Sequence, residues 1–155
     1  MIHVRQATIE DLPKMEKCST SFLGSSKFLE QFDMGKFVDL WTKILSQEIG
    51  VIFVLVEGEE IIGAIGSMCH SDAYSQQLIA MEMFWYVLPE HRGPGMKLYR
   101  AYENWAREKG CNKIRMTYLC DLMPEGLKTL YEDLGYYPIE VNYQKELKPW
   151  QLAQD

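Results

Sequence analysis

The chain has 155 residues, a hydrophobic content of 47% and a formal net charge of −6 at pH 7. This length predicts a single domain over residues 1–155, large enough to bury one core. No apolar run reaches the roughly 20 residues that span a bilayer, and the N-terminus lacks the layout of a signal peptide. We therefore expect a cytoplasmic protein without a membrane partner. The acidic balance also argues against a nucleic-acid partner.

Apolar periodicity and glycine positions predict strands and helices along the whole chain. In chain order they are a strand at 2–7, helices at 8–23 and 34–50, a hairpin at 51–69, a strand at 77–88, a helix at 95–110, a strand at 113–119, a helix at 124–135 and a strand at 137–147. Thr8 and Asp11 open the first helix with the spacing of a capping box. The strand at 77–88 is apolar over most of its length, so we place it inside the sheet.

This order of elements predicts an α/β fold of mixed α+β type. Three antiparallel strands form a meander, and a strand–helix–strand unit follows it. The expected architecture is a central mixed sheet, mostly antiparallel, that is flanked by helices on both faces.

The four cysteines, Cys18, Cys69, Cys111 and Cys120, show no CxxC spacing, and the three histidines are far apart in the sequence. This pattern favours neither a zinc site nor a disulfide framework. We interpret the cysteines as buried thiols and expect no metal.

The stretch "PEHRGPGMKLY" (89–99) joins the end of the apolar strand to the start of a helix. Free backbone N–H groups at such a junction, on the positive end of a helix dipole, are typical of a phosphate site. Gly93 and Gly95 would let a ligand approach the backbone closely, and Arg92 adds a positive charge. The spacing is neither a P-loop nor GxGxxG. A turn that serves packing alone is the alternative.

This turn resembles the acetyl-CoA motif of the GNAT superfamily of N-acetyltransferases, V-x-P-x-x-R-G-x-G-x-G. The residues in register with it are Val87, Pro89, Arg92, Gly93 and Gly95. "LYEDLGY" (130–136) is similar to a segment near the C-terminus of that family, and the predicted order of elements agrees with the family fold. Lys97 departs from the motif at its last small residue, and Pro124 stands where the family often has an asparagine.

The resemblance implies an acetyl-CoA-dependent N-acetyltransferase that moves an acetyl group to a primary amine of a small molecule or peptide by direct attack. Acetyl-CoA would be the co-substrate, with no metal. The cofactor-binding residues implied are Tyr86, Val87, Leu88, Arg92, Gly93, Gly95, Met96 and Lys97. The first three would pair with the pantetheine arm beside a β-bulge. The others would hold the pyrophosphate, although the Lys97 side chain could equally be solvent-exposed.

The resemblance also implies two catalytic residues. A lysine-like amine with a pKa near ~10.4 must lose a proton before it attacks, and Glu82 is the candidate base, since several family members have a glutamate there. Glu82, Phe84 and Tyr86 are expected on one face of their strand. Tyr131 of "LYEDLGY" matches the usual acid that protonates the departing thiolate; a phenol with a pKa near ~10 does not favourably protonate a thiolate near ~8.5, so the alternative is that Tyr131 only donates a hydrogen bond to the sulfur. The structural alternatives are an ion-paired Glu82 and a packing role for Tyr131.

In the family, the first two helices, their connection and the last strands form the acceptor pocket. An aromatic wall is expected from Phe28, Phe32, Trp41, Phe84 and Tyr86, with Glu30 and Asp33 attracting a cation and Tyr137, Glu140 and Tyr143 on the closing strand. A small-molecule or peptide amine is the expected acceptor.

Two other functions stay open at this point. One is a CoA-binding sensor or interaction module without catalytic activity, which the presence of both Glu82 and Tyr131 disfavours. The other is an acetyltransferase toxin that acts on aminoacyl-tRNA, which the acidic balance disfavours. A homodimer is compatible with the family, in which many members pair.

Overall fold

The computed structural model describes residues 1–26, 32–121 and 124–149, with Pro124 described by its backbone alone. The strands are β1 (Ile2–Gln6), β2 (Gly50–Glu57), β3 (Glu60–Ser71), β4 (Leu78–Val87) and β5 (Lys113–Arg115), and the α-helices are α1 (Glu16–Leu23), α2 (Met34–Ser46), α3 (Gly95–Glu108) and α4 (Pro124–Asp133). Short 3₁₀ helices at Ile9–Met15 and Pro89–His91 complete the described elements.

The strands form one sheet in the order β1-β2-β3-β4-β5. The first four are antiparallel to their neighbours, and β5 is parallel to β4. Helices cover both faces, because Phe84 of β4 contacts Trp41 of α2 while the adjacent Trp85 contacts Tyr99 of α3. The predicted fold class is confirmed, and β4 lies inside the sheet as predicted.

The N-terminal helix begins differently from the prediction. Residues 9–15 form a 3₁₀ helix, and α1 starts only at Glu16. Pro13 has no N–H to donate to the preceding turn, which weakens an α-helix here. The predicted capping contact is present, since the Thr8 N–H donates to Asp11 Oδ2 at 2.8 Å. Arg5 of β1 binds the same carboxylate at 2.7 and 2.9 Å and holds the pKa of Asp11 well below its usual range.

The C-terminal strand predicted at 137–147 is wrong, because these residues form no strand. Its apolar side chains are more than half exposed at Tyr137, Ile139, Val141 and Tyr143. Alternation of apolar and polar residues is a local pattern, whereas a strand also needs an edge to pair with. The neighbouring strand β5 is too short to pair with another strand of that length, since it ends at Arg115 rather than at residue 119 as predicted.

The cysteines differ from one another in burial. Cys18 is buried, Cys120 is exposed, and Cys69 and Cys111 are half-buried with their Sγ atoms 3.3 Å apart. The interpretation of all four as buried thiols therefore holds for Cys18 alone. None of the described helices combines the length and the hydrophobicity that a bilayer span requires.

Candidate active site

A β-bulge at Met83 determines which way the side chains of β4 point. Gly66 of β3 lies opposite Phe84 and Ser67 lies opposite Glu82, so Met83 has no partner on β3. Adjacent residues of β3 face opposite sides of the sheet, and Glu82 and Phe84 must therefore do the same. The prediction that Glu82, Phe84 and Tyr86 share a face is wrong at Glu82. The expected bulge exists, but it precedes residues 86–88 instead of adjoining them.

Glu82 lies at the point where β4 and β5 separate. The ladder between these strands runs from Ile79 opposite Lys113 to Met81 opposite Arg115. Beyond it, Glu82 Oε2 accepts a hydrogen bond from the Thr117 N–H at 2.9 Å. The side chain thus links the two strands after their backbone pairing has ended.

The environment of Glu82 favours its protonated form. The residue is 5% exposed, and burial raises the pKa of the carboxyl group to about 7, against the opposing effect of the Thr117 N–H. Desolvation disfavours the charged form of a carboxyl group, which is the physical cause of the shift. A carboxyl group with this pKa exchanges its proton near neutral pH.

Tyr131 of α4 reaches the same residue as Glu82. Its hydroxyl donates to the Thr117 carbonyl oxygen at 2.9 Å, while Glu82 binds the N–H of Thr117. Burial and the nearby Glu82 charge raise the pKa of Tyr131 far above its ordinary value. The phenol is therefore a neutral hydrogen-bond donor at physiological pH. The structure brings the two expected catalytic side chains together.

Buried polar groups of α3 and β3 complete this side of the site. The Tyr102 hydroxyl donates to the Arg115 carbonyl at 3.0 Å. The Ser67 hydroxyl is buried against Tyr102, yet no described group lies in hydrogen-bonding geometry with its Oγ. Sequence reasoning placed Tyr102 on the buried face of its helix but did not identify Ser67 or Thr117. No sequence signal marks Thr117, because it contributes only backbone atoms.

The glycine-rich turn lies at the other end of the unpaired part of β4. Among the described residues, the N–H groups of Gly93 and Met96 have no backbone partner, whereas those of Gly95 and Lys97 donate to Arg92 and Pro94 within the turn at 3.0 Å. A side chain at Gly93 would meet open space, so the turn is accessible there. Fewer N–H groups point outward than the sequence suggested.

Gly95 has a packing role. A Cβ atom at this position would lie 3.3 Å from Cγ2 of Val87, closer than ordinary contact. The absence of a side chain lets the start of α3 approach β4. The lack of a side chain therefore has a different effect at each glycine of the motif. It leaves the backbone accessible at Gly93, and it allows close packing against β4 at Gly95.

Two cations flank the turn. The Arg92 guanidinium lies 5.7 Å from the centre of the Tyr86 ring, and its Nε is 3.5 Å from the Val87 carbonyl oxygen. Lys97 is exposed on the first turn of α3. No described strand pairs with the β5-side edge of β4 over residues 82–87. Open N–H groups, two cations and a free strand edge fit a ligand with a diphosphate and an extended amide-containing arm.

An apolar cavity of about 210 Å³ lies on the opposite face of β4, between that strand and helices α1 and α2. Four of the five residues of the expected aromatic wall line it, namely Phe32, Trp41, Phe84 and Tyr86. Phe28 and Glu30 lie outside the described residues. A larger cavity of about 400 Å³, beside Trp105 and Lys109, contains none of the candidate residues.

The remaining residues expected around the acceptor do not line this cavity. Asp33 caps α2, where its carboxylate accepts the Lys36 N–H at 2.8 Å. Tyr137, Glu140 and Tyr143 are exposed in the segment after α4, which forms no closing strand. The apolar cavity is therefore bounded by α1, α2 and β4 among the described elements.

Comparison with known proteins gives one family. The model of the acetyltransferase (GNAT) family matches residues 15–136, well over half of the chain. No curated protein sequence matches the chain.

Many solved structures are similar in fold. A transcriptional regulator from Bacillus halodurans is 21% identical with a TM-score of 0.77, covering 95% of this chain and 100% of its own. An acetyltransferase from Trypanosoma brucei is 17% identical with a TM-score of 0.73, covering 95% and 100%. A predicted acetyltransferase from Clostridium acetobutylicum, solved with acetyl-CoA, is 17% identical with a TM-score of 0.73, covering 96% of each chain.

Proposed function

The chain belongs to the GNAT acetyltransferase family, and from that premise we propose that it is an acetyl-CoA-dependent N-acetyltransferase that acetylates a primary amine of a small molecule or peptide by direct attack. The observation that carries the proposal is the meeting of Glu82 and Tyr131 at Thr117, where β4 and β5 separate. A carboxyl group and a phenol lie there beside a strand edge that no described strand pairs with and that ends in the glycine-rich turn. Acyl transfer from a thioester to an amine requires these groups.

The cofactor site extends from β4 to the start of α3. Acetyl-CoA supplies the acetyl group as a thioester. The backbone of Tyr86, Val87 and Leu88 would bind the pantetheine arm as an added strand, because the β5-side edge of β4 is unpaired there. Gly93 and Met96 would bind the pyrophosphate through their N–H groups, with Gly95 allowing the close approach of helix and strand. Arg92 would add positive charge, whereas the exposed Lys97 side chain is assigned to solvent.

Glu82 is the proposed proton acceptor. A pKa of about 7 makes the carboxyl group about half ionised at neutral pH, which is close to the optimum for a general base. Since Glu82 and the apolar cavity are on opposite faces of β4, the proton reaches Glu82 through the opening between β4 and β5. The carboxylate is then held in place by the Thr117 N–H.

Tyr131 is the proposed hydrogen-bond donor to the departing sulfur. Its phenol is neutral because burial raises its pKa, so it carries a proton at every pH at which the enzyme would work. The hydrogen bond to the Thr117 carbonyl fixes the hydroxyl at the strand opening. As the thioester C–S bond breaks, a shift of that hydrogen bond from the carbonyl to the sulfur would stabilise the departing thiolate, while the raised pKa keeps the proton on the phenol.

The test begins with acetyl-CoA binding, read as a rise in unfolding temperature, followed by an amine panel read as free-thiol release. Tyr131→Phe should lower kcat by about 100-fold without changing the shift that acetyl-CoA produces. Tyr137→Phe is the matched control, since Tyr137 is an exposed tyrosine of the following segment. Absence of a thermal shift at saturating acetyl-CoA would refute the proposal. A shift without thiol release from any amine would indicate a CoA-binding protein without catalysis.

A further inference from the structure

We propose that the acceptor amine carries one apolar group of the size of a phenyl ring or a branched alkyl chain, and that the cavity between α1, α2 and β4 binds this group. The inference rests on the proposed N-acetyltransferase function and specifies its substrate class. The cavity has a volume of about 210 Å³, and Phe22, Phe37, Trp41 and Phe84 are among its walls.

The polar atoms of the cavity wall are already engaged. Ser19 Oγ donates to the Met15 carbonyl at 3.0 Å, and the Tyr86 hydroxyl is 2.7 Å from Ser21 Oγ. The Cys18 thiol donates to the Ile61 carbonyl at 3.5 Å. Among the described residues that line the cavity, none carries a charge.

This chemistry selects against polar acceptors. A second ammonium group or a set of sugar hydroxyls would lose its water without gaining a partner in the cavity, and such desolvation is costly. An apolar group has no hydrogen bonds to water to lose, and it gains contact with four aromatic side chains. Diamines, amino sugars and sugar phosphates are therefore the classes that the cavity rejects.

The size of the cavity sets the size of the group. An apolar protein cavity of about 150 Å³ binds benzene, so about 210 Å³ accepts one ring with a short linker. The Trp41 and Phe84 rings meet edge to face at 5.4 Å between their centres. A bound ring would extend this aromatic packing, which favours tilted and edge-to-face contacts.

The cavity and the proposed cofactor-binding edge share the strand β4. Tyr86 lines the cavity with its side chain, and its backbone belongs to the strand edge assigned to the pantetheine arm. Met83, the bulge residue, also lines the cavity and is 49% exposed, so it lies at the rim. An amine whose apolar group occupies the cavity can therefore direct its nitrogen towards the strand opening.

The first experiment compares acceptors at saturating acetyl-CoA. The apolar acceptors are 2-phenylethylamine and 3-methylbutylamine, and the polar ones are 1,4-diaminobutane and glucosamine. Burial of one apolar side group is worth about 1.5–3 kcal/mol, so kcat/KM should be roughly tenfold to 100-fold higher for the apolar pair. Equal or faster acetylation of a polar acceptor would overturn the inference and leave the proposed function standing.

The second experiment blocks the cavity at its rim. Met83→Trp should raise KM for 2-phenylethylamine about tenfold and leave KM for acetyl-CoA unchanged. Ile49→Trp is the matched control, because Ile49 is a part-exposed apolar residue that does not line the cavity. An unchanged KM for the amine in Met83→Trp, with the variant folded by circular dichroism, would also overturn the inference.

A binding measurement separates the two proposals if no amine is acetylated. Saturation-transfer NMR would then detect 2-phenylethylamine on the wild-type protein and a weaker signal on Met83→Trp. That result would support the cavity assignment while the catalytic proposal fails. No difference between wild type, Met83→Trp and Ile49→Trp would refute the cavity assignment as well.

Discussion

The two faces of β4 have opposite chemistry, although one strand of ten residues supplies both. On the α3 side, Glu82 is buried with hydrogen-bonded partners that include Thr117 and lies near Tyr102 and Tyr131. On the α1 and α2 side, Phe84 packs among aromatic rings. A regular strand would have placed Glu82 and Phe84 on the same face. The bulge at Met83 separates a polar centre suited to proton transfer from an apolar centre suited to recognition.

The largest expected effect is therefore from insertion of one alanine between Gly66 and Ser67 of β3. The inserted residue would pair with Met83 and remove the bulge, so the side chains on one side of the insertion must turn to the wrong face, because a shift of one residue inverts every side chain. We expect loss of cooperative thermal unfolding, measured by circular dichroism. Insertion of one alanine between Ser75 and Gln76, two exposed residues between β3 and β4, is the control and should fold normally. A Gly66–Ser67 insertion variant with wild-type unfolding temperature would show that the bulge does not determine the two faces.

Substitution of Glu82 should affect activity far more than folding. Glu82→Gln keeps an acceptor for the Thr117 N–H but removes the base, so kcat/KM should fall by roughly 10²–10⁴-fold. At pH 8 the unfolding temperature should be equal to that of the wild type or higher, because an uncharged side chain replaces a buried carboxylate. Glu132→Gln, at an exposed position of α4, is the matched control. Full activity in Glu82→Gln would leave Glu82 with a structural role only.

The stability of the protein should also report the titration of Glu82. The native pKa of about 7 lies above the ordinary value of 4.5, so the native state keeps a proton that the unfolded chain has released. The contribution of Glu82 to the free energy of unfolding therefore decreases as the pH rises from about 4.5 to about 7. Above pH 7 this contribution no longer changes with pH. The difference in unfolding free energy between Glu82→Gln and wild type should grow by up to ~1.4 kcal/mol per pH unit in this window.

The dependence of kcat/KM on pH should follow from the same ionisation of Glu82. Below pH 7, kcat/KM should rise about tenfold per pH unit as Glu82 loses its proton, and it should level off above. Denaturant unfolding and initial rates at pH 5, 6, 7 and 8 would measure both effects. Parallel stability profiles for wild type and Glu82→Gln would contradict the raised pKa.

The residues on both faces of β4 also show what the sequence could predict. The turn at residues 89–99 and the order of elements as far as α4 depend on local patterns, and the structure agrees with their placement. Glu82 and Tyr131 are identified from the family resemblance; both bind Thr117, and their catalytic roles stay a prediction. The facing of Glu82 depends on the register with β3, where Gly66 leaves space that the Phe84 ring fills. Thr117 acts through its backbone, which no residue type indicates.

The segment at 137–147 illustrates a different limit. Its alternating pattern satisfied the local requirement for a strand, but the pattern contains no information about a pairing edge. In the structure, the Thr117 N–H and carbonyl bind the side chains of Glu82 and Tyr131 instead of another strand. The interactions that define the site therefore occupy backbone groups that a longer β5 would have offered to a neighbouring strand.

The smallest expected effect concerns the two cations at the end of β4. Arg92 lies along the strand edge beside Tyr86, and Arg92→Ala should raise KM for acetyl-CoA about tenfold, as expected for loss of a charge-assisted contact of ~1.4 kcal/mol. Lys97 is exposed, and an exposed ion pair contributes about 1 kcal/mol or less. Lys97→Ala should therefore raise that KM by no more than about fivefold.

Salt dependence distinguishes the roles of these cations. Between low and high ionic strength, KM for acetyl-CoA should rise less in Arg92→Ala than in wild type, because a charge that binds phosphate is screened by salt. Lys97→Ala should keep the wild-type salt dependence, as should Lys43→Ala on α2, the control at an exposed position. If Lys97→Ala instead loses the salt dependence, its ammonium binds a CoA phosphate, and the lysine at the motif's last small position is then a ligand contact.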